Sequence, residues 1–348
     1  MKIMGLDIGG ANTDCCIFNI TDENKLKLLK TSKEYLPMWN KKEELYNLLN
    51  EFKKYDADVI CVTITAELSD GFISKKEGIN YIIDIVDDLF NKKIVKYVTY
   101  DGLKDYEEIK ENPLNAAAAN WIGSAALIKY IKKNCVFMDM GSTTTDIIPI
   151  INKKEAAIGH DDTDRLCAGE LVYTGMLRTN VATITHEVPV NSKTATVSSE
   201  LFAITADVNM ILGNITEDKY TCNTPDGNCK DLISCKRRLS RVVCGDLDTI
   251  SNENIENIAQ YIHNQQIIQV SKGLLKVVER TGLDTVVITN LSHGTICKKA
   301  AKQLGLNIID LEEFLSKELC DITPTLGSII MYLELTSEIK ENLPIFID

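Results

Sequence analysis

The sequence predicts an α/β protein of two lobes with mixed sheets. Three observations carry that expectation. The chain has 348 residues, 45% of them hydrophobic and 25% charged. β-Branched runs alternate with helical stretches, and one strand–turn–strand pattern occurs twice. Such a length exceeds one ordinary small domain and suits two, and the composition is that of a protein with buried cores.

The elements follow in order. Residues 3–8 and 14–20 read as strands around the tight Gly9-Gly10 turn, and 26–32 as a third strand. Leu45, Leu48, Leu49 and Phe52 recur at helical spacing within 41–55. The run 59–64 is β-branched, as in a buried strand. Residues 75–91 read as helix, 94–99 as extended, and the alanine-rich run 115–131 as helix. A second strand pair, 135–140 and 145–151, surrounds Gly141. Beyond it, 231–243 and 253–281 read as helices, 284–289 as a strand, 295–304 as a helix, and 325–335 as a helix after Pro324. This pattern divides an N-terminal lobe, 1–132, from a C-terminal lobe, 133–348, which carries an inserted substrate region at about 159–250.

A formal charge of -12 argues against nucleic acid or an anionic membrane as the partner, since both favour basic surfaces. No apolar run reaches the roughly 20 residues that cross a bilayer. Met1 leads straight into a strand pattern without a secretory signal, so the expected location is the cytoplasm. Eleven cysteines then read as reduced thiols. Cys222, Cys229, Cys235 and Cys244 lack the paired spacing of a zinc site. The oligomeric state stays open, a homo-oligomer included.

The internal echo is the most informative feature. Asp7-Ile8-Gly9-Gly10-Ala11-Asn12-Thr13-Asp14 recurs as Asp139-Met140-Gly141-Ser142-Thr143-Thr144-Thr145-Asp146. Both copies read D-x-G-[GS]-x-x-T-D between two apolar strands. One copy alone would suit an ordinary hairpin with a capping aspartate; two copies point to a shared ligand. Glycine lets the backbone approach an anion closely, and successive N–H groups in such a turn form a concave anion site. Gly9, Gly10, Asn12, Gly141, Ser142, Thr143 and Thr144 are therefore expected around a di- or polyphosphate. Asp7, Asp139 and Asp146 are placed near Mg²⁺, which favours oxygen ligands and keeps part of its water shell.

The paired hairpins resemble the two phosphate-binding loops of the superfamily that unites actin, sugar kinases and heat-shock chaperones. Their sequences are most similar to its hydantoinase/oxoprolinase-like branch. The segments Asn115-Ala116-Ala117-Ala118-Ala119-Asn120-Trp121, Gly159-His160-Asp161-Asp162-Thr163-Asp164-Arg165-Leu166, Gly169-Glu170-Leu171-Val172-Tyr173-Thr174-Gly175 and Phe202-Ala203-Ile204-Thr205-Ala206-Asp207-Val208 fit one archaeal subgroup of that branch. The resemblance covers most of the chain. It implies a two-lobed actin-like ATPase (ribonuclease H-like) fold with mixed sheets and an interlobe cleft. It also implies a transferase of methanofuran biosynthesis. Subgroup members condense 5-(aminomethyl)-3-furanmethanol diphosphate with γ-glutamyltyramine, forming an aryl-alkyl ether and releasing diphosphate. ATP-using relatives carry a Gly-Gly turn after a late strand. The matching stretch Val287-Ile288-Thr289-Asn290-Leu291-Ser292-His293-Gly294 has one glycine, so no ATP requirement is expected; a plain strand-to-helix turn reads the same way.

For that reaction, Asp7 and Asp139 are the expected catalytic carboxylates. His160, beside Asp161, Asp162 and Asp164, is the expected base for the phenol, because histidine titrates near neutral pH. Asp207 and Glu170 are alternates, and a solvated acidic loop also fits the His160 segment. Arg237 and Arg241, in the dense basic cluster with Lys236 and Arg238, share a helix face. They suit the diphosphate or the glutamyl carboxylates, or a solvent-facing surface. Two other readings keep both hairpins. One is an ATP-dependent small-molecule kinase or hydantoinase/oxoprolinase-like amidohydrolase, and the other is a non-catalytic phosphate-ligand sensor or assembly subunit.

Overall fold

In the computed structural model, residues 1–21, 25–290, 295–336 and 346–347 are described. The chain divides into two compact units: Met1–Asn134 with Ile150–Asp164 and Glu312–Asp348, and Cys135–Pro149 with Arg165–Leu311. The expected division into 1–132 and 133–348 therefore differs from the observed one, because the chain returns twice to the first unit.

The first unit is built on a mixed sheet. Its strands are β1 (Lys2–Gly9), β2 (Asn12–Ile20), β3 (Leu26–Tyr35), β4 (Val59–Thr65), β5 (Ile94–Thr99) and β6 (Gly102–Lys104). The order runs Phe346–Ile347, β3, β2, β1, β4, β5, β6. β1 and β2 are antiparallel, whereas β4 lies parallel to β1 and β5. Side chains alternate between the faces of a strand. Met4, Leu6 and Ile8 accordingly share one core with Leu45, Leu49 and Phe52 of α1 (Leu45–Lys53) and with Ile79, Ile82, Ile83 and Val86 of α2 (Lys75–Phe90). Ser74 caps α2, its side chain accepting the Glu77 amide at 3.2 Å.

The opposite face explains why the C-terminal segment joins this unit. Gly5 leaves no room for a Cβ against the Thr325 carbonyl of the helix Thr323–Leu335. That helix also packs on α3 (Asn120–Ile131), where a Cβ on Gly123 would lie 2.8 Å from the Pro324 carbonyl. Lys129 bridges to Glu334 at 2.8 Å. The expected helix 115–131 begins only at Asn120. Upstream, Ala117 bridges in parallel to Ile64 and Ala118 has φ 48°, so sheet pairing overrides the helix preference of the alanines.

In the second unit, β7 (Cys135–Met140), β8 (Thr145–Ile151), β9 (Thr285–Asn290) and β10 (Asn307–Asp310) form a sheet in the order Leu171–Val172, β8, β7, β9, β10. β7, β9 and β10 are parallel. Its helices include α4 (Thr205–Ile211), α5 (Leu232–Arg241) and the 30-residue α6 (Asn252–Thr281). Ser251 caps α6, and Gly282 ends it in the left-handed conformation at φ 69°. Ile267, Val270, Leu274 and Val277 of α6 share a core with Val136, Met138 and Ile147 of the sheet. Among the described residues no helix is long and apolar enough to cross a membrane.

Candidate functional site

Each unit carries one of the two hairpins. In the first, strand register sets Asp7 directly opposite Asp14 and Ile8 opposite Thr13, so both carboxylates lie on the face that carries Gly5. None of Gly9, Gly10 and Gly141 has a positive φ, so the need for glycine at Gly9 and Gly10 is steric. A Cβ on Gly9 would stand 2.8 Å from the Asn12 carbonyl, and one on Gly10 3.1 Å from Ser69 Oγ. The Leu36 amide donates to the Ala11 carbonyl at 3.0 Å and the Met38 amide to the Gly10 carbonyl at 2.9 Å. Among the described residues the Gly10 and Ala11 amides donate to no protein acceptor. Carbonyls tied back and donors left over are what an anion nest requires.

The surroundings of this turn are acidic. Thr63 Oγ1 donates to Asp7 Oδ1 at 2.8 Å, yet burial, and then the charge of Asp14, push Asp7 up to about 7. Burial also raises Asp14, against Lys33 at 3.3 Å. Glu67 is 2% exposed. Burial pushes it up to about 7, with Asp162 and Asp7 adding to the effect and Lys75 opposing it. Its Oε2 has no hydrogen-bond partner among the described residues. Sequence reasoning missed Glu67; its signal was an acid three residues past the apolar strand 59–64.

Among the described residues no group of three or more His, Cys, Asp or Glu is arranged to hold a metal ion. A cation at Asp7 would therefore take most of its ligands from water and substrate oxygens, which suits Mg²⁺. His160 is exposed, edge-on to Tyr100 with ring centroids 6.4 Å apart. Asp161 Oδ1 accepts the Asp164 amide at 2.9 Å in the first turn of the helix Asp162–Ala168.

The second hairpin repeats the wiring. The Gly141 amide closes the turn on the Thr144 carbonyl at 2.9 Å. The Met176 amide donates to the Gly141 carbonyl at 3.0 Å, and the Leu177 and Arg178 amides donate to the Ser142 carbonyl at 3.0 and 2.9 Å. Among the described residues the Ser142, Thr143 and Thr144 amides donate to no protein acceptor. Gly175 presses on this turn so closely that a Cβ would lie 2.5 Å from the Thr143 nitrogen, whereas a Cβ on Gly141 would meet only the Thr144 carbonyl at 3.8 Å. Asp139 lies across from Thr289 on β9.

Several expected roles change here. Asp146 is not an open metal ligand, because buried Arg165 donates to its Oδ1 at 2.7 Å. Arg237 is exposed and Arg241 reaches Asp226 at 3.5 Å. The arginine that α5 buries is Arg238, paired with Asp207 at 2.7 Å and Asp226 at 3.1 Å. Asp207 also accepts the Ile204 amide at 3.0 Å, and Glu170 is fully buried against Arg280. Both alternate bases are thus committed to structural pairs. His293 and Gly294 of the late turn lie outside the described residues.

Two α/β units thus each carry one D-x-G hairpin whose turn carbonyls are tied back by a later segment. The chain belongs to the hydantoinase/oxoprolinase family, whose model matches residues 58–327. The chain is 40% identical over 328 residues, 93% of this chain and 96% of the relative, to the (4-{4-[2-(γ-L-glutamylamino)ethyl]phenoxymethyl}furan-2-yl)methanamine synthase of Methanocaldococcus jannaschii. It is 39% identical to a protein of the same name from Methanococcus vannielii, over 61% of this chain and 97% of that one. A nucleotide-free acetone carboxylase structure shares the fold, with a TM-score of 0.55 at 11% identity, over 94% of this chain and 69% of that one.

Proposed function

We propose that this protein joins 5-(aminomethyl)-3-furanmethanol diphosphate to the phenol of γ-glutamyltyramine as an aryl-alkyl ether, with release of diphosphate. The observation that carries the reading is likeness along almost the whole length of the M. jannaschii synthase, in a chain that keeps both anion-turn hairpins. The product in that enzyme's name contains a phenoxymethyl link to a furan. Making such a link requires a phenol oxygen to attack a furfuryl carbon that bears a leaving group.

In this reaction the C–O bond to diphosphate breaks, its electron pair leaves with the diphosphate, and the phenol oxygen bonds to the furfuryl carbon. The phenol proton passes to His160. The furan ring stabilises positive charge at the reacting carbon, so the protein's main work is to stabilise the departing anion. Amides of the Gly9–Asn12 and Gly141–Thr144 turns bind diphosphate oxygens, helped by the Ser142, Thr143 and Thr144 hydroxyls. Asp7 and Asp139 are the residues that would hold Mg²⁺, which would supply positive charge for the leaving group. Burial and then the charge of Asp14 raise Asp7, a penalty on its charged form that a cation would relieve, which supports that placement.

The test is incubation with both substrates and Mg²⁺ without ATP, with mass analysis for the ether and assay of released diphosphate. Stoichiometric ether and diphosphate are expected. No ether, together with Mg·ATP hydrolysis, would replace this reading with the ATP-dependent kinase or amidohydrolase.

A further inference from the structure

Resting on the diphosphate reading, we infer that Arg178 is a substrate-binding residue that supplies the fixed positive charge at the second turn. The segment Thr174–Thr179 that ties back this turn is itself bonded on every side. Gln266 of α6 donates to the Gly175 carbonyl at 2.8 Å and to Thr174 Oγ1 at 2.9 Å. The Asn209 side chain of α4 donates to the Met176 carbonyl at 2.9 Å, and the Ala206 amide to the Leu177 carbonyl at 3.0 Å. The Thr205 amide donates to the Thr179 carbonyl at 2.9 Å, and the Gly175 amide to Thr179 Oγ1 at 2.9 Å.

A loop so completely hydrogen-bonded has one backbone position, and it delivers one cation. Arg178 is half-buried, its amide bonded to the Ser142 carbonyl, and its Nη1 stands 3.4 Å from Thr143 Oγ1. Arg178 is thus anchored through its backbone to a turn whose Ser142, Thr143 and Thr144 amides have no protein acceptor among the described residues. Arg165, on the neighbouring segment, pairs with Asp146. A planar, always-charged fork beside amide donors matches a diphosphate oxygen pair, and a backbone already fixed lowers the ordering cost of binding.

Calorimetric titration of inorganic diphosphate with Mg²⁺ into the full-length protein tests this. Wild type binds, Arg178→Gln loses about 10- to 100-fold in affinity, and Arg178→Lys recovers part of it. In turnover, Arg178→Gln raises KM for the furfuryl diphosphate and leaves KM for γ-glutamyltyramine unchanged. Added guanidinium at millimolar concentration restores activity to Arg178→Ala, which a purely structural role would not allow. Should Arg178→Gln melt early, the Lys variant and the guanidinium rescue decide instead. Diphosphate bound equally by wild type and the Gln variant, or by the Gln and Lys variants alike, overturns the inference while leaving the proposed reaction standing. Wild type that binds no diphosphate removes both.

Discussion

At the first turn, Asp7, Asp14, Glu67 and Asp162 gather with Lys33 and Lys75 as the opposing charges. At the second, Asp146 is neutralised by Arg165, and hydroxyls and Arg178 surround the loop. The backbone wiring is the same in both: a later segment takes the turn carbonyls and leaves amides over. Duplicated hairpins thus keep the backbone device while their surroundings diverge, one toward buried carboxyls, the other toward hydroxyls and a guanidinium. The difference teaches that the D-x-G pattern specifies where donors stand, and the neighbouring side chains decide what each turn prefers.

Substitutions can break that contrast, and they rank by expected effect. Asp139→Ala should lower kcat by at least about a thousandfold, the scale of losing transition-state electrostatics; near-normal turnover would remove Asp139 from the mechanism. Gly175→Ala comes next. Its new methyl cannot fit beside Thr143, so diphosphate affinity should fall by about a hundredfold and stability by about 1–3 kcal/mol; calorimetry and thermal melting read both.

A paired comparison is sharper. Gly9→Ala meets a carbonyl at 2.8 Å and should lower the melting temperature, whereas Gly141→Ala meets nothing closer than 3.8 Å. The second variant should melt like wild type yet bind diphosphate less well, because only the ligand is crowded. Equal melting losses would show that the two turns are constrained alike.

The acidic pocket makes a prediction about pH. A carboxyl raised in the native state keeps a proton that the unfolded chain gives up. Its stabilising contribution is therefore full below the unfolded value and fades as pH rises through the native one. For Glu67 that window runs from 4.5 to about 7. Wild type should lose melting temperature between about pH 4.5 and about pH 7, and Glu67→Gln should lose less. Parallel melting curves would show that Glu67 ionises normally. The smallest effect is expected from Arg237→Gln, under about threefold in KM for either substrate, since exposed charges contribute little.

What the sequence revealed depended on how local the signal was. The two hairpins lie within eight residues each, and the 30-residue α6 is bounded by Ser251 and Gly282, so these were readable. The tie-backs were not. Leu36, Met38 and Met176–Arg178 are apolar or ordinary residues whose amides act only once distant elements have packed. Helical spacing put Arg237 and Arg241 on one face but could not say that the Cys235–Arg238–Leu239 side faces inward. Asp146 matched its repeat partner in pattern, while its ion pair with Arg165 came from tertiary packing. The C-terminal helix changed unit for a similar reason. Gly5, Gly123 and Gly327 read as isolated glycines until the backbones that press on them are known.

That last helix also fixes an order of events. One side of the first sheet is covered by Thr323–Leu335, more than two hundred residues after its last long strand. During synthesis, the strands from the first hundred residues keep that apolar surface bare until this helix has emerged. A truncation before residue 323 should therefore yield aggregates in the cell, even though both hairpins are already made.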